Sequence, residues 1–158
     1  MAFASIPPTR MNASLNKLSL SATTHCLTGC AIGEVAGMAI GTAAGWSNLA
    51  TTVSAIILAF FLGYSLTSWP LIRSGLPLRS VVPIALGADT VSIAIMEAVD
   101  NAFIVAIPGA LDAGLGDLLF WASISGGFAL AFGPAFLVNR YLIRRGKGHA
   151  LVHEHHGH

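Results

Sequence analysis

The run His25-Cys26-Leu27-Thr28-Gly29-Cys30-Ala31-Ile32-Gly33-Glu34 holds both cysteines of the chain, its single histidine outside the last ten residues, and a carboxylate. Thiolate and imidazole form a soft donor set that suits Cu(I), with Zn(II) next. Cys26, Cys30, Glu34, Met38 and Thr42 recur every fourth residue, so on a helix they stack along one face with His25 beside them. Thr23 or Thr24 ahead of the run can act as an N-cap, which would start the helix at the cysteines. The competing reading makes each cysteine a small buried hydrophobe. A disulfide is not expected, because Cβ vectors one helical turn apart are poorly directed for it. Nor does the spacing match a closed structural zinc site.

A second set of candidate ligands lies in Gly87-Ala88-Asp89-Thr90 and Met96-Glu97-Ala98-Val99-Asp100-Asn101, inside an otherwise apolar run. Asp89, Ile93, Met96 and Asp100 share one helical face, and Glu97 is displaced by about 80°. Carboxylates facing lipid are costly, so these three are expected to turn into a bundle. No Lys or Arg lies within the run to pair with them. Their companions are then a metal ion, protons, water or polar groups of other helices. The plainer alternative is three neutral acids hydrogen-bonded to Ser, Thr and Asn neighbours.

The elements that must position these residues read as membrane helices. Of 158 residues, 54% are hydrophobic and only 9% charged, against roughly 25% charged in ordinary soluble domains. Four segments of the length needed to cross a bilayer follow one another, over 23–46, 49–72, 79–108 and 116–142. The fold class expected is all-α, an integral membrane bundle of four transmembrane helices. Residues 1–21 are expected as a flexible N-terminal arm, 22–143 as the bundle, and 144–158 as a basic, His-rich tail.

Charge sets the orientation. Arg10 and Lys17 precede the first span, Arg73 and Arg79 separate the second and third, and Arg140, Arg144, Arg145 and Lys147 follow the fourth. The two opposite loops carry only Asp112 and Asp117. Positive charge on the inner side then places both termini in the cytoplasm. Trp46, Trp69 and Trp121 fall near span ends, as interfacial aromatics do.

Gly29, Gly33, Gly37, Gly41 and Gly45 form a second row on the first span, again every fourth residue. Such a row lets another backbone approach closely, either within the bundle or in a homo-oligomer. Gly126-Gly127 and Gly133-Pro134 suggest a kink or an unwound point in the fourth span. In the tail, His149, His153, His155, His156 and His158 make a composition that binds divalent transition metals. No secretory signal peptide, nucleotide-binding motif, hydrolase signature or nucleic-acid surface is visible.

The H-C-x-x-G-C-x-x-G-[acid] run of His25 to Glu34, the M-E-x-x-D-N run of Met96 to Asn101 and the four-span layout together resemble a bacterial membrane family catalogued as domain of unknown function 4396. The resemblance covers residues 21 to about 143, with Glu34 where that family has Asp at least as often. It implies the span count and the weight of the two motifs, and it implies no substrate. The function expected is therefore non-enzymatic: binding, with possible transport, of a transition-metal cation, copper or zinc, without an organic cofactor. His25, Cys26, Cys30, Glu34 and Met38 would face Asp89, Met96, Glu97 and Asp100 across the bundle. The alternatives are a thiol redox membrane protein and a proton-coupled solute transporter. The partners expected are the lipid bilayer and further copies of the chain.

Overall fold

A computed structural model describes residues 8–73, 75 and 78–145. Four helices run up and down in sequence order: α1 (Pro8–Ala43), α2 (Asn48–Arg73), α3 (Leu78–Ala106) and α4 (Leu118–Arg144), with a 3-10 turn at Ala110–Asp112. Three stretches, Asn12–Ala43, Asn48–Trp69 and Leu118–Arg144, are long and apolar enough to cross a membrane. Large apolar side chains stand exposed on the outside, among them Leu49, Ile57, Phe61, Val105, Leu118, Leu130 and Leu137. That exterior suits lipid and not water. α3 differs from the other three in composition because Asp89, Glu97 and Asp100 lie along it.

Pairing follows the small residues. α1 packs most extensively on α2, and α3 on α4; α1 also meets α4 and α2 meets α3, while α1 and α3 sit on the diagonal. A Cβ on Gly29 would press on Gly63, on Gly33 against Ala59, on Gly37 against Ala55, and on Gly41 against Thr51. Each step of four residues up α1 is thus matched by four steps down α2, so two rows of small residues bring the backbones together. The glycine row is used within the bundle, and an oligomer would need another face.

Gly45 does not belong to that row. α1 ends at Ala43, and Gly45 adopts a left-handed φ of 67° with no neighbour near its Cβ direction. Its N–H reaches the Thr42 carbonyl at 3.1 Å, and that of Trp46 reaches Gly41 at 2.9 Å. This pair of bonds closes a helix C-terminus and asks for the residue without a side chain.

Three further expectations change. α1 starts at Pro8, so residues 8–21 of the segment expected as a flexible arm are helical; proline fits the first turn, where its missing N–H is no loss. Thr23 and Thr24 are accordingly mid-helix, their hydroxyls bonded back to the carbonyls of Ser19 and Leu20 at 2.8 Å, and neither caps the helix. α4 runs unbroken through Gly133 and Pro134, without the unwound point.

Candidate functional site

The face α1 turns inward carries Cys26, Cys30 and Glu34, which are 2%, 0% and 3% exposed. Across the diagonal, α3 presents Ser92, Ile93, Met96, Glu97 and Asp100, all buried. The inward placement of the acids follows from the spacing of α3, whose buried residues recur at three and four. Helices α2 and α4 leave room for this meeting by being small there. Gly63 of α2 lies against Ile93 and the Cys30 thiol, and a Cβ on Gly127 of α4 would overlap the Asp100 carboxylate. Ala59, Ala131 and Ala135 complete the thin walls.

Within this centre the titratable side chains touch in a row. The Cys30 thiol is within hydrogen-bonding reach of both Cys26 and Glu97. Glu34 is within reach of Asp100 and close to Glu97. Asn101 donates to the Glu97 carbonyl at 2.9 Å and approaches its carboxylate at 3.5 Å. Yet Glu34 Oε2, Glu97 Oε1 and both oxygens of Asp100 receive no hydrogen bond. Two carboxyl groups meeting with no donor between them must share a proton or a cation, since isolated buried charge is prohibitive. No Lys, Arg or His is buried among the described residues to supply that charge.

The expected ligands therefore divide. Cys26, Cys30, Glu34, Met96, Glu97 and Asp100 converge at the centre. His25 is exposed, one turn before Gly29 on the row of α1 that faces α2. Met38 is half-buried, one turn beyond Glu34. Asp89 is buried beside Thr67 of α2, and eight residues separate it from Glu97, about 12 Å along the helix. The tail histidines His149, His153, His155, His156 and His158 lie outside the described residues. Both cysteines are free thiols, as their spacing requires. Among the described residues no three His, Cys, Asp or Glu side chains close around a point that would hold a metal ion. The donors form an open row.

Asn139 and Ser19, which the sequence reading passed over, join Thr23 in a buried polar seal at one end of this row. Asn139 of α4 donates to the Thr23 hydroxyl at 2.9 Å, and Thr23 in turn donates to the Ser19 carbonyl. All three are buried. The next residue, Arg140, donates to Asn16 at 2.8 Å. An asparagine in the last turns of a span, level with threonine on the first, was the available signal.

No curated protein and no solved structure matches the chain. One family model does, over residues 16–148. The chain belongs to the family described as domain of unknown function DUF4396.

Proposed function

We propose that this is a four-span membrane protein that binds a soft transition-metal cation, Cu(I) or Zn(II), at the centre of its bundle. The observation that carries the reading is the row Cys26–Cys30–Glu97–Asp100–Glu34, a set of buried acids and thiols with orphaned oxygens and no buried base. Cys26, Cys30 and Glu97 are the side chains that would close on the ion, with Met96 beside them. Glu34 and Asp100 would hold the protons that a bound cation displaces, because metal ligands must lose theirs. The row runs along the bundle axis for about 12 Å, which supports passage of the cation as well as storage.

In this reading α3 is the fourth span, kept in the membrane by burying its acids against α1. The up-and-down order gathers the basic ends of all four helices on one side, which favours a cytoplasmic location for both termini in an inner membrane. The His-rich tail would collect metal on that side. A homo-oligomer would form through the apolar exterior.

The test is elemental analysis after loading with Cu(I) or Zn(II), using untagged full-length protein, a form ending at Arg145, and Cys26→Ser/Cys30→Ser. About one metal per chain should survive tail removal and vanish with the thiols. A metal content that follows the tail alone refutes the reading. The second reading, a proton-coupled solute transporter, is favoured by the direct carboxyl contact of Glu34 with Asp100. It requires loss of activity in Glu97→Gln with no effect of cysteine removal. Thiol redox exchange is disfavoured by the depth of both thiols.

A further inference from the structure

At the end of the bundle opposite the Thr23–Asn139 seal, a cavity of about 220 Å³ opens between the end of α1, the start of α2 and the 3-10 turn. Met38, Thr42, Asn48, Thr51 and Asp112 are among the residues that line it. At about 30 Å³ per water it has room for roughly seven, enough for an ion with its inner hydration shell. Asn48 holds one Asp112 carboxylate oxygen at 2.8 Å, fixing the acid over the cavity. The floor is Met38, four residues and about 6 Å beyond Glu34 on the same helix face.

We infer that this cavity is a cation-selective mouth that feeds the central row from one side. Asp112 draws a hydrated cation in, the threonine hydroxyls replace part of its water, and the Met38 thioether passes it to Glu34. One carboxylate with neutral oxygens binds weakly, and weak binding is what a mouth requires, since a deep well there would stop onward movement. A small anion is the wrong occupant. The Asp112 charge opposes it, and the α2 first-turn N–H of Ala50 is already directed at Ser47 Oγ at 3.4 Å. At the other end the Asn139–Thr23 and Arg140–Asn16 bonds tie α4 to α1, so the mouth serves one side of the row. The inference rests on the central cation site proposed above for what the mouth feeds, and on the cavity alone for its existence.

Two measurements on the full-length chain separate these. In the first, Met38→Cys and, as a second reporter, the exposed position Thr42→Cys are reacted with cationic and anionic methanethiosulfonates, each rate normalised to a free thiol. Both reporters should react in the folded protein and prefer the cationic reagent. Adding Asp112→Asn should slow the cationic reagent about threefold and speed the anionic one by about as much, the effect of one charge at roughly 6 Å in water, so the preference falls about tenfold. Unreactive reporters, or a preference indifferent to Asp112, overturn the mouth. In the second, Ag(I) serves as a redox-inert substitute for Cu(I), in a background with the five tail histidines changed to alanine. Asp112→Asn and Met38→Leu should slow uptake at least threefold and leave the amount bound unchanged. Unchanged rates overturn the feeding role. If the unsubstituted centre takes up no Ag(I), the central metal reading falls, and the labelling measurement alone decides the mouth.

Discussion

Replacing Gly33 with alanine puts one methyl group where the α1–α2 contact has no space for it. Its Cβ would stand 2.5 Å from the Ala59 Cα and the Leu58 carbonyl carbon, about 1 Å short of ordinary contact. These are backbone atoms and cannot rotate aside. The helices must part by about that distance, and a gap of 0.5–1 Å forfeits roughly a quarter to a half of the dispersion attraction at each facing pair. Overpacking of this kind costs about 1–3 kcal/mol. Gly87 on α3 supplies the control, since its Cβ would meet nothing within 4 Å and it is exposed within the helix. There the change should be neutral or stabilise by up to about 1 kcal/mol. The two variants should therefore differ by about 2 kcal/mol, roughly thirtyfold in the folded-to-unfolded ratio. Reversible SDS titration in mixed micelles, followed by near-UV circular dichroism, reads the difference. Equal midpoints for Gly33→Ala and Gly87→Ala would refute the close α1–α2 register and, with it, the placement of Cys30 against Gly63.

Other consequences are as direct. Cys26 and Cys30, nearly inaccessible in the fold, should resist a water-soluble maleimide for hours and both react at once in hot SDS, as counted by intact mass. Thr23→Val removes the acceptor of the buried Asn139 amide and should cost about 1–3 kcal/mol, whereas Thr24→Val, on the exposed side, should cost less than about 0.5 kcal/mol by the same titration. Gly127→Ala forces the Asp100 carboxyl off its position. Its penalty should shrink in an Asp100→Ala background by about 0.5–3 kcal/mol, and simple additivity would show that the two residues do not touch.

What could be read from sequence was whatever carried a large energetic penalty if wrong. Three acids on one apolar helix had to turn inward, and they do. The glycine row had to meet a backbone, but its partner went unread although α2 repeats small residues at Thr51, Ala55, Ala59, Gly63 and Thr67 with the same spacing. A period identifies a face and leaves open which face it meets. Gly45 fitted the period and still lies outside the helix, because hydrogen bonding at the helix end outranks spacing. His25 stood next to Cys26 in the chain, yet one residue is 100° of rotation, and that puts it on the glycine row, where it is exposed, and off the face of the thiols. The α1 start at Pro8 was hidden because Asn12, Asn16 and Lys17 look like the end of a membrane span, whereas a helix can continue past the lipid.

The diagonal placement of α1 and α3 bears on how the molecule is assembled. Each of the two hairpins, α1 with α2 and α3 with α4, has its own extensive contact, while the row of acids and thiols is split between them. Neither hairpin alone can complete the row, and α3 on its own carries three acids with nothing from α1 opposite them. Docking of two finished halves is therefore the step that creates the centre, so a chain cut between α2 and α3 and expressed as two pieces would recover it only when the halves find each other.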